Sequence, residues 1–394
     1  MSNPVRVSVL GVTGSIGVSA LDVITACAPD GPQFEVVALT ANTRVDELAK
    51  AAIKARAEVA VIADPSLYAQ LKSALANTGV EAAAGEAAMI EAAERPADRL
   101  VAAIVGIAGL PATLAAVRKG TTIALANKES LVCAGPLLIR EAQRTGARLL
   151  PTDSEHNAIF QVLDRPERVE KLILTASGGP FRKASLAEMA AATPEQARAH
   201  PNWAMGPKIS IDCATMMNKG LELIEAAYLF GLPESQIDIL VHPQSIIHSL
   251  VSYDDGSTLA QLSMPDMRTP ISYALAWPER MALPGLERLD LAKIGRLDFE
   301  PPDEQRFPAL KLARRAVSAG AGAPIVLNGA NEIAVAAFLQ RRIGFLTIAQ
   351  VAGEVLDAYL EDLPSAKEPE SFEAVFELDR VVRQRTLEKL RLAA

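Results

Sequence analysis

The chain has 394 residues, 50% of them hydrophobic and 22% charged, an ordinary balance for a soluble globular protein of two or three domains. Its net charge of -8 argues against a nucleic-acid surface, which needs a basic patch. Cys27, Cys133 and Cys213 share no metal-ligand spacing, no apolar run reaches the ~18 residues that span a bilayer, and the N-terminus lacks a signal pattern, so a cytoplasmic setting is expected.

Residues 5–10 read as a buried strand, followed at once by Gly11-Val12-Thr13-Gly14-Ser15-Ile16-Gly17 and a helical pattern (Val18, Leu21, Ile24). In this G-x-x-G-x-x-G, glycines let the backbone approach a pyrophosphate while free helix N–H groups face it. A glycine-rich turn without a ligand carries the same letters; the strand–turn–helix setting favours a dinucleotide. The second strand, 34–39, runs into Thr40-Ala41-Asn42-Thr43-Arg44, with no acid before Asp46. NAD sites end this strand with Asp or Glu, whereas hydroxyls, an amide and a guanidinium suit a 2′-phosphate, so NADP(H) is expected. Strands at 58–63, 100–105, 122–126 and 147–152 alternate with helices at 65–76, 110–118 and 129–144, which predicts a mostly parallel, doubly wound sheet. Lys128, in Ala126-Asn127-Lys128-Glu129, follows a strand, where an ammonium could touch substrate or cofactor, though a lone lysine there is more often solvated.

The last of these strands delivers Leu149–Phe160, LLPTDSEHNAIF. Asp153, Glu155 and His156 sit where strand hands over to helix. Carboxylates at i and i+2 of extended chain point the same way. Held close they repel unless a cation intervenes, and oxygen ligands suit Mg²⁺ or Mn²⁺. Taken alone, D-x-E also fits a solvated turn.

A strand at 169–175 then ends in Ala176-Ser177-Gly178-Gly179-Pro180, whose hydroxyl and N–H groups suit a phosphate. A helical stretch at 186–199 leads to His200-Pro201-Asn202-Trp203-Ala204-Met205-Gly206, either a flap over a site or a loop with a structural Trp. A short strand is expected at 209–211, then a helix capped by Asp212. On that helix Asn218, Lys219 and Glu222 share a face; Glu222 offers a third carboxylate and Glu225 a reserve. After a strand at 237–241 come His242-Pro243-Gln244-Ser245-Ile246-Ile247-His248 and a hairpin turning at Asp254-Asp255-Gly256. All 4 histidines fall between 156 and 248, which marks this segment as the seat of the chemistry. Residues 277–307 read as a connector, and helical patterns at 309–318, 325–339, 348–359 and 371–392 as a C-terminal bundle. The expected architecture is α/β: a Rossmann-like doubly wound domain (1–152), a central α/β catalytic domain (153–276), the connector and a helical bundle (308–394).

With these pieces in hand, the chain closely resembles the 1-deoxy-D-xylulose 5-phosphate reductoisomerase family. The resemblance covers essentially the whole length and rests on GVTGSIG, ALANKESLV, LLPTDSEHNAIFQ, TASGGPFR, HPNWAMGPKISIDCATMMNKGLELIEA, HPQSIIHS, PDMRTPI and LNGANEIAVAAFL. It implies an enzyme that rearranges a five-carbon ketose phosphate and reduces the resulting aldehyde with NADPH to 2-C-methyl-D-erythritol 4-phosphate, a step of non-mevalonate isoprenoid synthesis. It implies Asp153, Glu155 and Glu222 as ligands of a divalent metal (Mg²⁺, Mn²⁺ or Co²⁺), with Ser154 and Lys128 as substrate contacts beside it. Ser177, Asn218 and Lys219 match phosphate-binding positions. His156, His200 and His248 line the pocket, and Trp203 and Met205 lie in a closing flap. Thr13, Gly14, Ser15 and Ile16 match the pyrophosphate loop, with Asn42, Thr43, Arg44, Asn127, Glu129 and Gly206 as further cofactor contacts. A homodimer is also implied, with no nucleic-acid or membrane partner.

Two departures stand out. The family usually has Ser where this chain has Cys213, at a position that helps hold the phosphate, and a thiol is the weaker donor. The loop Asn42-Thr43-Arg44 also differs from the commonest pattern. A semialdehyde dehydrogenase begins with the same glycine motif but needs an activated cysteine, and Cys133 sits in an apolar helical pattern without a nearby His. A non-catalytic NADP(H) sensor leaves the three acids unexplained.

Overall fold

The computed structural model describes residues 3–26, 31–203, 205–362 and 368–392, so Cys27 and Ala204 lie outside the described residues. The chain divides into two compact units: Met1–Ser130 with Leu138–Asn157 and Asp266–Arg288, and Leu131–Leu137 with Ala158–Pro265 and Leu289–Ala394. This differs from the four-part division read from the sequence. The segment after Pro265 returns to the first unit, and the C-terminal helices share one hydrophobic core with the central segment.

The first unit is built on seven strands: β1 (Val5–Leu10), β2 (Phe34–Ala41), β3 (Val59–Ile62), β4 (Glu81–Ala84), β5 (Arg99–Ala102), β6 (Thr122–Leu125) and β7 (Leu149–Pro151). They pair in parallel in the order β4-β3-β2-β1-β5-β6-β7. Helices on both faces bury them, which is why β3 and β6 are apolar runs rather than alternating ones, and why even Ser8 of β1 is buried. The strand order reverses beside β1, so the glycine turn that follows β1 opens at the switch point of the sheet. β4 and the helix Glu86–Glu94 were not expected; both are alanine-rich, and β4 is an edge strand with no buried residue to mark one face.

The second unit holds a four-stranded sheet of β8 (Val169–Ala176), β9 (Ile237–Val241), β10 (Ile247–Tyr253) and β11 (Thr258–Leu262), in the order β11-β10-β8-β9. β8 and β9 are parallel and the other pairs antiparallel. Helix Met217–Phe230 is buried on nearly every side from Met217 to Ala227, as a helix in the middle of a core must be. The C-terminal helices Ala309–Ala319, Ala323–Leu339, Phe345–Glu361 and Phe372–Leu392 form where their apolar spacing placed them.

Two local expectations fail. Residues 209–211 are not a strand but lie inside the helix Pro207–Ala214, whose proline stands in the first turn. Asp212 is therefore no N-cap: it is buried in that helix, bonded to Lys208 Nζ at 2.9 Å and Asn331 Nδ2 at 2.8 Å. The stretch 186–199 is two short helices, Leu186–Ala190 and Pro194–Arg198, each with its own capping box, because Thr193-Pro194 restarts the chain. No helix among the described residues is long and apolar enough to cross a membrane.

Candidate active site

In the first unit the turn Gly11–Gly17 is set by close packing. A Cβ on Gly17 would lie 2.3 Å from the Gly11 carbonyl oxygen and 2.5 Å from the Val12 Cα, so only glycine lets the helix Ser15–Thr25 start this near β1. That helix carries no side-chain cap on Gly14, which leaves its first N–H groups for a ligand. Gly14 and Ser15 are exposed, with Thr13 and Ile16 half-buried. Asn42, Thr43 and Arg44 stand exposed beyond β2, and Arg44 Nη1 reaches the Thr13 carbonyl at 3.2 Å. The residues expected at the 2′-phosphate and those expected at the pyrophosphate are thus neighbours.

β6 and β7 run side by side with Leu125 opposite Pro151, so the residues after them emerge together. Lys128 Nζ accordingly meets Asp153 Oδ2 at 2.6 Å. Burial works to raise the Asp153 carboxyl, but the Lys128 ammonium, aided by His156 and Glu155, holds it far below the usual carboxylate range. Ser154 Oγ donates to Glu155 Oε2 at 2.5 Å, and His156 is fully buried one residue on. Asn127 spends its side chain internally: Oδ1 caps the helix Lys128–Thr145 by accepting from the Ser130 N–H at 2.7 Å, and Nδ2 donates to the Gly106 carbonyl at 2.7 Å. Glu129 is buried beside it.

In the second unit Ser177 follows β8, and its Oγ lies 2.9 Å from His200 Nε2. Gly179, at φ +67°, lets this turn lie against the helix Pro207–Ala214; a Cβ there would stand 2.7 Å from the Cys213 carbonyl oxygen. Ser177 and the half-exposed Cys213 are thereby drawn to one end of that helix. Met216, left-handed at φ 62°, turns the chain into Met217–Phe230. There Lys219 Nζ and Asn218 Nδ2 both donate to the Glu222 carboxylate, which is buried along with Lys219. Buried Glu225 lies one turn further along. His248, on β10, pairs its Nε2 with Ser263 Oγ at 2.9 Å, and the Trp203 ring lies 6.3 Å from its own. Met205 and Gly206 are half-buried beyond it.

Burial pushes His200 down to about 4, with the Lys219 ammonium adding to it. It also brings His248 to about 4, against the Ser263 carbonyl and with help from His242 and Lys219. Both imidazoles are neutral at pH 7. Buried Cys133 accepts from Asn328 Nδ2 at 3.5 Å. The sequence reading gave no role to Asn202, Ser245 or Ser263. Asn202 bonds residues 41 and 43 positions away, and no local spacing announces such a pair.

Comparison with known proteins fits this geometry. The family model described as 1-deoxy-D-xylulose 5-phosphate reductoisomerase matches residues 7–135, and its C-terminal domain models match 149–230 and 262–385. The reductoisomerase of Zymomonas mobilis is 58% identical over 97% of each chain. The chain belongs to the 1-deoxy-D-xylulose 5-phosphate reductoisomerase family. The reductoisomerase of Rhodospirillum centenum is 60% identical over 92% of this chain and 88% of its own. The solved Zymomonas mobilis reductoisomerase in complex with NADPH superposes with a TM-score of 0.91 at 55% identity, covering 98% of this chain and 99% of that one. A reductoisomerase solved with NADPH, fosmidomycin and magnesium gives 0.92 at 45% identity over 98% of both.

Proposed function

We propose that this chain converts 1-deoxy-D-xylulose 5-phosphate to 2-C-methyl-D-erythritol 4-phosphate with NADPH and a divalent metal, in non-mevalonate isoprenoid synthesis. The observation that carries the reading is the near-full-length identity of 58% to a reductoisomerase. Asp153, Glu155 and Glu222 would hold the cation. They are hard oxygen donors of the kind Mg²⁺, Mn²⁺ and Co²⁺ accept, and Asp153 is kept ionised by Lys128. Thr13, Gly14, Ser15 and Ile16 would take the pyrophosphate, and Asn42, Thr43 and Arg44 the 2′-phosphate. The tight Gly11–Gly17 turn and the uncapped helix behind it suit that anion. Asn127, Glu129 and Gly206 complete the cofactor contacts. When bound, the cation supplies a Lewis acid for the substrate's carbonyl and hydroxyl oxygens, and NADPH supplies the hydride.

The protein's own groups do the rest. Lys219, Asn218, Ser177 and Cys213 hold the substrate phosphate, so binding energy from that remote end is spent on positioning the reacting carbons. Lys128 and Ser154 contact the substrate beside the carboxylates. Neutral His200 and His248, with His156, Trp203 and Met205, line the pocket and exclude water from the aldehyde. A cytoplasmic homodimer agrees with the family reading.

NADPH oxidation in the presence of 1-deoxy-D-xylulose 5-phosphate, with and without EDTA, tests the activity: no oxidation with metal present sinks it. Glu222→Gln is expected to abolish turnover while NADPH binding survives. Loss of NADPH binding with metal affinity intact refutes the ligand assignment.

A further inference from the structure

Two turns of the second unit meet at one amide. Asn202 Nδ2 donates to the Pro243 carbonyl at 2.8 Å and to Ser245 Oγ at 2.9 Å, so both of its protons are used on a turn elsewhere in the chain. That turn is firmly built. Ser245 is buried and left-handed at φ 53°, a conformation a non-glycine residue keeps only when its surroundings enforce it. Its N–H closes the turn onto the His242 carbonyl at 3.1 Å. The fully buried His242 ring braces the turn from inside. Its Nε2 accepts from the Ile246 N–H at 3.2 Å, and its Nδ1 therefore donates to the Asp298 carbonyl at 2.8 Å. Phe299 stacks on the same ring with centroids 4.9 Å apart.

On the other side, residues 200–203 wrap around the His200 ring. The backbone N–H groups of Asn202 and Trp203 both donate to His200 Nδ1, at 3.2 and 3.0 Å. In the neutral ring the proton then sits on Nε2, which donates to Ser177 Oγ at 2.9 Å. The Asn202 side chain ties this wrapped turn to the rigid 242–246 turn, while the His200 ring is bonded to Ser177 and to the backbone of its own turn.

We propose that Asn202 is a positioning residue. By fastening the 200–203 turn to the braced turn at Pro243–Ser245, it sets where His200 meets Ser177 and where the Trp203 ring faces His248. It acts through those residues and touches no reacting atom. The inference rests on the reading that Ser177, His200, Trp203 and His248 face the substrate, and goes beyond it by naming what holds them there.

The test uses the full chain with NADPH, Mg²⁺ and 1-deoxy-D-xylulose 5-phosphate. An inactive wild type sinks the functional reading itself; the variants judge the inference. Asn202→Ala is expected to lower kcat/KM for the substrate about 10-fold, the loss of two part-buried hydrogen bonds, while KM for NADPH and Tm stay near wild type. Asn202→Asp keeps the shape but cannot donate, and should do at least as badly. Ser245→Ala removes one acceptor and should cost a few-fold; combined with Asn202→Ala it should add nothing, since the shared bond is already gone. In a Trp277→Phe background the emission of Trp203 reports its surroundings, and Asn202→Ala should shift it toward that of a solvated indole. Wild-type kcat/KM and emission in Asn202→Ala overturn the proposal, as does a fall in Tm with kcat/KM unchanged. If Asn202→Ala does not fold, unchanged kinetics in Ser245→Ala overturn it equally.

Discussion

Substituting alanine for Gly220 places a methyl carbon 2.9 Å from the Ala313 Cβ and 3.2 Å from the Ala309 carbonyl oxygen. Both neighbours belong to helix Ala309–Ala319 and are fully buried, so neither is the loose end of a side chain that can swing away. Carbon atoms in contact sit about 3.5–4.0 Å apart, so the two helices must separate by roughly 0.6–1 Å at this crossing. Overpacking of this kind costs about 1–3 kcal/mol, and the better helix propensity of alanine returns about 1 kcal/mol. The net expectation runs from about zero to a loss of about 2 kcal/mol, or up to about 4–8 °C in Tm for a unit of this size. Because Lys219 and Glu222 flank the site on the same helix, kcat/KM should fall with it. Thermal unfolding followed by circular dichroism measures the first effect. The partner substitution Ala313→Gly removes the opposing methyl. Alone it should cost about 1 kcal/mol of helix propensity, but in the double variant the clash vanishes and the two effects must be non-additive. Strict additivity in the double variant refutes the reasoning.

Gly17→Ala meets backbone at 2.3 Å rather than a mobile side chain, so the pyrophosphate turn must open and NADPH affinity should fall by about 10-fold or more; calorimetric titration giving wild-type affinity contradicts this. Arg44→Ala should raise KM for NADPH by about 10-fold or more, the worth of hydrogen bonds to a charged group, and leave KM for NADH unchanged. Equal KM values for the two cofactors in the wild type would remove Arg44 from the argument. Cys213→Ser exchanges a weak donor for a stronger one and should lower KM for the substrate; an unchanged or higher value counts against a phosphate contact there. His248 is held at about 4 by burial, whereas in the unfolded chain it titrates near 6.5. The unfolded state thus binds more protons between these values. The stability is present above about pH 6.5 and is lost as pH falls toward 4, by up to about 1.4 kcal/mol per unit. The half-exposed His200 adds a smaller share in the same direction. Denaturant midpoints identical at pH 7 and pH 5 contradict both.

The parallel sheet was legible because its strands are buried on both faces and spell themselves as apolar runs between turn residues. β4 was not, since Glu81–Ala84 has alanine on both faces and so lacks any contrast to read. Residues 209–211 misled for the opposite reason. Ile209-Ser210-Ile211 alternates like a strand, but Pro207 fixes a helical start and Asp212 finds partners in Lys208 and Asn331 inside the core. The partner on Ala323–Leu339 lies 119 positions away, and a buried charge looks like a cap until that partner is visible.

The site divided along the same line. Lys128 and Asp153 were named separately, as a lysine and an acid that each follow a strand; their pairing needed the knowledge that β6 and β7 are neighbours in register. Chemistry-bearing residues reveal themselves by type, because few side chains can bind a metal or a phosphate. The residues that aim them are ordinary amides and hydroxyls, and their meaning lies wholly in what the fold brings to them. Asn202 is such a case: its letter sits in a loop already marked as functional, yet its task is set by the left-handed Ser245 and the buried His242 on a turn it reaches only in three dimensions.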